Sequence, residues 1–285
     1  NIIFPNRHAV CSLRPVSSAG SSRENRMIKY LIASLLCGIS ALASNQIDYS
    51  SCFVPGEVSE YKVSWARFPI GWSRSSTETI IEEGRELVRI RMETRSYSTY
   101  DTFFKVNNVM FVVLNPVTAL PLRLDLIQHQ GDLHKSYLTT FDHAAGKAVS
   151  IDRLNNVTNT VSIPPETREM LTLIYASRKS AIEQLPEVTY PLLSNGELYD
   201  IQLKIKDSGK IRLSQYGRVA SVELDPVADR EGAELSDSKS TFWVSKKSRR
   251  MITCVETKVP IGKVRVKLQQ VSGPGDDFWV KERKK

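Results

Sequence analysis

From Glu57 onward the chain alternates apolar and polar positions with the two-residue period of strands that bury one face. In the first such run Tyr61, Val63 and Trp65 share one face, and Glu60, Lys62 and Ser64 the other. Gly84, inside EEGRE, marks a hairpin turn, after which Val88, Ile90 and Met92 alternate with Arg89, Arg91 and Glu93. Val109–Leu114 is apolar at every position and predicts a strand covered on both faces, ended by Asn115-Pro116. Leu120, Leu122, Leu124 and Leu126 then alternate with Arg123 and Asp125. Gly131-Asp132 turns the chain into Leu133–Phe141, and Asp142–Lys147 turns it into short strands at Ala148–Arg153 and Val157–Ile163.

One stretch breaks this period. Pro165–Ile182 predicts a helix, with proline at its start, Glu166 and Glu169 near its positive end, and Arg178 and Lys179 late. Met170, Leu173, Ile174, Ser177 and Ala181 form its apolar stripe. After Pro186 and Pro191 alternation resumes through Tyr199, Ile201, Leu203 and Ile205. Asp207-Ser208-Gly209 predicts a turn into Ile211–Leu213, followed by a strand at Val219–Leu224 and a polar loop over 226–240. Strands return at Phe242–Val244, at Met251–Val259 and, beyond a Pro260-Ile261-Gly262 turn, at Val264–Leu268. About a dozen short alternating strands and one helix predict a mainly β fold. The expected form is a large antiparallel sheet making a half-barrel, barrel or sandwich with one central α-helix, in a single domain over residues 53–271.

The front of the chain does not belong to that domain. Met27–Tyr30 is a short positive segment, Leu31–Ile39 an apolar core, and Ala41-Leu42-Ala43 offers small residues where a signal peptidase reads. Residues 27–44 are therefore expected to be a secretory signal peptide, with 1–26 as upstream sequence and 272–285 as a flexible basic tail. The apolar run is too short for a permanent membrane span. Charge follows the same division. Five cations against Glu24 in residues 1–44 supply +4 of the net +8, leaving +4 for the rest, several of them at the extreme C-terminus. A body that binds nucleic acid over its surface is not indicated. Export to an oxidising compartment, most simply the periplasm of a Gram-negative-type bacterium, leaves Cys52 and Cys254 as an even pair. They are expected either to form a disulfide or to stay as two thiols; neither has a second Cys or His at metal-ligand spacing.

Residues 55–73 (PGEVSEYKVSWARFPIGWS) resemble the opening of the bacterial exported family DUF3108, whose members begin with Gly-Glu, an aromatic-Val-Trp strand and a Gly-containing turn. Further points agree in order: Phe141-Asp142 before Gly146, a helix with Tyr175 then Arg178, Trp243-x-Ser245 followed by Arg249 and Arg250, and a final strand led by Gly262. The resemblance covers roughly residues 53–271. Members tend to carry acidic residues after the Trp-x-Ser, where Lys246-Lys247 stand here. The resemblance implies an exported β-rich protein and no particular activity.

The residues themselves offer little chemistry. No GxSxG, HExxH, CxxC or P-loop pattern occurs, so no catalytic residue, metal or cofactor is expected. His129 and His134 flank a turn near Asp132 and Asp142, and read most simply as exposed turn residues. Asp101, Asp125, Asp142 and Asp152 are scattered over strand ends. What stands out is Tyr61, Trp65, Trp72 and Trp243 near strand ends, as candidates to line a cleft for an apolar ligand. Lys246, Lys247, Arg249 and Arg250 are the candidate patch for an anion or a partner. The expectation is a non-catalytic envelope protein that binds a lipid or another apolar ligand in a β cleft. The alternatives are an assembly module docking an envelope protein and, less so, a hydrolase of envelope polymers. Trp65 is expected to be buried.

Overall fold

Alternating strands can bury their apolar face only by curling around it or stacking, and this chain curls. The computed structural model describes residues 47–179, 188–230, 233–235, 240–247, 249–259 and 262–274. The expected leader, the residues before it, the tail beyond 274, the Pro260-Ile261 turn and the predicted helix end at 180–182 lie outside them. Two antiparallel meanders make up the sheet. The first runs through β1 (Val58–Trp65), β2 (Phe68–Glu82), β3 (Arg85–Ser96), β4 (Val106–Asn115), β5 (Leu120–Gln130), β6 (Leu133–Asp142), β7 (Lys147–Asp152) and β8 (Val157–Ser162). The second runs through β9 (Thr189–Ser194), β10 (Glu197–Leu213), β11 (Gly217–Arg230), β12 (Ala233–Leu235), β13 (Ser240–Ser245), β14 (Ile252–Val259) and β15 (Gly262–Ser272).

The meanders join where β1 pairs antiparallel with β15, giving one sheet from β8 through β1 and β15 to β9, with β12 added on β11. Among the described residues no strand ladder closes it. Arg168 instead bridges the gap, donating its amide to Pro191 O at 2.9 Å and accepting from Leu193 N at 2.9 Å. The Arg168 side chain is buried, its guanidinium 5.3 Å from the centre of the Tyr49 ring and bonded to the carbonyls of Glu166 and Thr118.

That bridge explains why the helix is shorter than expected. Short helix α1 (Asp101–Phe104) follows β3, and α2 (Met170–Ala176) is the central one. Arg168 spends its backbone groups on β9 and Thr167 bonds back to Pro164, so helical bonding begins only at Glu169. Glu169 caps α2: its carboxylate accepts from the amides of Leu171 and Thr172, while Thr172 Oγ1 accepts from the Glu169 amide. The apolar stripe also differs. Leu171, Tyr175 and Ala176 pack with Ile90, Val112 and Leu114 of the first meander. Leu173 packs with Leu192, Ile201, Leu203, Val222 and Val244 of the second. A helix apolar on nearly every side is a core helix, and α2 ties the two meanders together.

Burial pushes the Glu169 carboxyl up from 4.5 to about 7, against the amide bonds that favour its charge. A raised folded-state value means that the group's stabilising contribution is complete below pH 4.5 and is lost as pH rises through about 7. Stability is expected to fall by about 2–3 kcal/mol over that window, and Glu169→Gln should flatten the profile in urea titrations across it.

Two local signals mislead. Asp207-Ser208-Gly209 is no turn: β10 runs straight through it, with a bulge between Ile205 and Asp207, and Gly209 lies under the Trp243 ring. A Cβ on Gly209 would sit 3.4 Å from that ring, an ordinary contact distance, so the glycine neither reverses the chain nor is demanded by the packing. The predicted loop at 226–240 is in part a continuation of β11 to Arg230.

Of the two alternatives for Cys52 and Cys254 the structure shows the unpaired one: both thiols are free and buried. Cys52 packs with Tyr175 and Leu171 on the helix side of the sheet. Val255 faces that same interior, so its strand neighbour Cys254 points to the opposite face, and the sheet separates the two sulfurs. Burial raises both thiols, Cys254 to about 11, which makes them poor nucleophiles. Alkylation of the denatured protein without reductant should label Cys52 and Cys254 fully; a cross-linked peptide pair would contradict this placement.

Candidate functional site

The two meanders and α2 do not fill the space they enclose. A cavity of about 1220 Å³ remains between α2 and the inner face of eight neighbouring strands, β5 to β13 in sheet order. This exceeds the ~300–1,000 Å³ usual for small-molecule sites. At about 4.8 Å per strand spacing the wall is an arc of roughly 34 Å. The strands contribute mainly alternate residues from their inner face: Tyr61, Val63 and Trp65 from β1, Met92, Thr94 and Ser96 from β3 with Arg95 also reaching it, Val264 and Val266 from β15. Met170, Ile174 and Arg178 face it from the helix side, so Met170 and Ile174 of the expected stripe line the cavity while Leu173 lies in the packed core.

The cavity has two ends. Tyr175, Leu171 and Ser75 are buried at the inner one. At the mouth Phe103 is 86 % exposed, Phe104 53 % and Trp65 37 %. Trp65 was expected to be buried; it sits instead on the rim, beside the Gly262 turn. Trp65→Ala is therefore expected to cost about 1–2 kcal/mol in urea unfolding, below the ~3–5 kcal/mol of a truncated core aromatic. Gly71 lies in the wall where a Cβ would come within 2.2 Å of Arg95 O, a close approach of β2 to β3 that excludes a side chain.

The inner end is polar and charged. Tyr175 Oη lies 3.1 Å from Ser75 Oγ and 3.3 Å from Thr77 Oγ1. Glu57, 1 % exposed, accepts from Arg178 at 3.0 Å and Arg249 at 2.8 Å. Burial opposes the charge on Arg178, but Glu57, Tyr175 and Tyr61 together hold its pKa above the ordinary value. The Arg178 guanidinium stacks 4.1 Å from the centre of the Tyr175 ring. Burial pushes the Tyr61 hydroxyl up, keeping it neutral.

The candidate residues divide. Of the four aromatics, Tyr61 and Trp65 line the cavity; Trp72 and Trp243 alternate with inward-facing neighbours and lie on the other face. The basic patch is likewise split. Lys246 is exposed, Arg249 is engaged by Glu57, and Arg250 turns into the cavity. Sequence reading missed Arg178, Glu57, Met110, Phe103 and Ile252, because only the curl of the sheet brings them together. His129 and His134 do meet, ring centres 4.8 Å apart, but among the described residues no group of three or more His, Cys, Asp or Glu could hold a metal ion. The aspartates are dispersed: Asp125 pairs with Arg153, Asp101 with Ser96, and Asp142 and Asp152 each accept amide bonds in turns.

A family model described as "Protein of unknown function (DUF3108)" matches residues 60–269. The chain belongs to that family. A comparison with curated proteins gives no match. Among solved structures, a β-barrel-like protein of domain of unknown function DUF1849 from Brucella abortus is similar to it in fold. The two are 8 % identical, with a TM-score of 0.50, over 77 % of this chain and 98 % of that one. A candidate lipoprotein from Parabacteroides distasonis matches 79 % of this chain and 99 % of its own at 10 % identity, but its TM-score of 0.28 is too low to assign a fold. No helix of the described residues is long and apolar enough to cross a membrane.

Proposed function

We propose that this DUF3108 protein is a non-catalytic, exported envelope protein that holds an apolar chain in its half-barrel. The observation that carries the reading is the 1220 Å³ cavity, with one wall built from Val264, Val266, Ile252, Val255 and Phe242. Leaving so much apolar surface unpacked forfeits contacts that a closed core would make, and a ligand restores them. The opposite wall, with Ser73, Thr94 and Asn108, is mildly polar and tolerates water when the site is empty. The exported location rests on the apolar run at 31–39 and the small residues after it. A hydrolase would need paired acids in the cleft, and no carboxylate stands among its described lining residues. An assembly module would use the edge strands, of which β8 is polar and largely exposed. Organic extraction of protein purified from its native envelope, with titration of the delipidated protein by hexadecanol, tests the proposal. Recovered lipid and saturable binding are expected. No recovered lipid together with no saturable binding would overturn it.

A further inference from the structure

Among the described residues the charge at the cavity's inner end is not balanced. Arg178, Lys179, Arg249 and Arg250 gather there around two acids, Glu57 and Asp48. Asp48 lies within reach of the Lys179 charge, while its carboxylate accepts from the Ser50 amide at 2.9 Å. Glu57 is shared by Arg178 and Arg249. Arg250 is left with a neutral partner: its Nη1 donates to the carbonyl of Arg178 at 3.2 Å, and no carboxylate approaches it among the described residues. Arg250 lines the cavity, and its guanidinium carries five donors.

The chain adopts an unfavourable conformation to put it there. Arg250 has φ of 46°, in the left-handed region that a bulky residue avoids at a cost of about 1–3 kcal/mol. The turn is locked on both sides. Arg250 N donates to Lys247 O at 2.9 Å, and Met251, fully buried, exchanges bonds with Ser245. Among the described residues five other non-glycine residues have positive φ, and none of them lines the cavity. Across all described lining residues there are three arginines, Arg95, Arg178 and Arg250, and no carboxylate; Arg95, near the mouth, is engaged by Glu93 at 2.6 Å.

We infer that the ligand is an anionic amphiphile, its headgroup held at the inner end by Arg250 beside Arg178 and its chain running along the Val264–Val266 wall toward the Trp65–Phe104 mouth. This rests on the proposed apolar-ligand function and narrows it. A guanidinium fork suits a carboxylate or a phosphate equally in shape. The shared chemistry is thus one acyl chain with an anionic head, from a free fatty acid or an acidic phospholipid. Tyr175, Ser75 and Tyr61 add neutral hydroxyls beside the arginines, which complement an anion without cancelling its charge.

The test compares ligands that share one chain and differ in the head: hexadecanoate, hexadecanol and hexadecylamine, titrated against the delipidated mature protein. Hexadecanoate should bind about tenfold or more tightly than hexadecanol, and hexadecylamine weakest of the three. Arg250→Gln should bring hexadecanoate down to the level of hexadecanol. A second pair, palmitoyl lysophosphatidylglycerol and lysophosphatidylcholine, separates the sources: a preference for the glycerol lipid over hexadecanoate assigns the head to a phospholipid phosphate, the reverse to a fatty-acid carboxylate. Equal binding of hexadecanoate and hexadecanol by the wild-type protein overturns the headgroup inference while leaving the cavity reading intact. Failure of every ligand to bind overturns both. Because the comparison is made first on the wild-type chain, the outcome does not depend on the variant folding.

Discussion

Glu57→Gln is expected to lower the unfolding free energy by about 3–5 kcal/mol, measured as a shift in urea midpoint with unchanged slope. The carboxylate is 1 % exposed and is the anion of a three-residue network with Arg178 and Arg249. Removing its charge leaves two guanidinium groups, one nearly buried and one partly so, without a counter-charge, and that desolvation penalty is what the measurement reads. An amide can still accept one hydrogen bond, so geometry is largely kept and the loss reports charge. Arg249→Gln should cost much less, because Glu57 then keeps Arg178 as its partner. A loss below 1 kcal/mol in Glu57→Gln would mean that the network is solvated and that Arg178 is not held in place by it. The network also bears on ligand binding. With Glu57 neutral the inner end gains one positive charge, so an anionic ligand should stabilise the variant more than it stabilises the wild type.

Glu57 also shows how far the sequence could be read. Gly56-Glu57 is legible as an opening motif, and the alternation of Tyr61, Val63 and Trp65 that follows correctly assigns one face of β1. The partners of Glu57 are not legible. They lie 121 and 192 residues away, on the turn after α2 and the turn before β14. Period-2 alternation reports which side chains share a face but not which way the sheet curls. The large antiparallel sheet with one helix was therefore accessible, while the choice among half-barrel, barrel and sandwich, and the cavity, were not. Trp72 and Trp243 were grouped with Tyr61 and Trp65 on residue type alone; a parity count along β2 places Trp72 opposite Gly71 and Ser73, which line the cavity. Arg250 resisted for another reason. In a run of basic residues nothing distinguishes the one whose backbone is turned left-handed, since that depends on the buried Met251 and its bonds to Ser245. The helix was visible by its period, but its apolar side was ambiguous because nearly every side is apolar.

That ambiguity leads to the second large effect, a contrast between two adjacent residues of α2. Leu173→Ala is expected to cost about 2–5 kcal/mol. Leu173 is buried among Leu192, Ile201, Leu203 and Val244, so truncation opens a void inside the contact that ties α2 to the second meander. Ile174→Ala should cost under about 1 kcal/mol, although it removes as many carbons. Its side chain only partly packs on the first-meander cluster and otherwise faces the cavity, so fewer packed neighbours are lost. The order reverses for binding. Ile174→Trp, which extends into the cavity, should weaken hexadecanoate binding severalfold or more with stability nearly unchanged, whereas Leu173→Ala should change binding only through the fraction folded. Equal stability losses for Leu173→Ala and Ile174→Ala would mean that the space beside α2 closes in solution. An Ile174→Trp variant that binds as tightly as the wild type would place the ligand elsewhere. The two substitutions together separate what α2 does for the fold, helping to join two meanders that also meet at the β1–β15 ladder and the Arg168 bridge, from what it does for the site, forming one wall of a cavity the strands alone could not enclose.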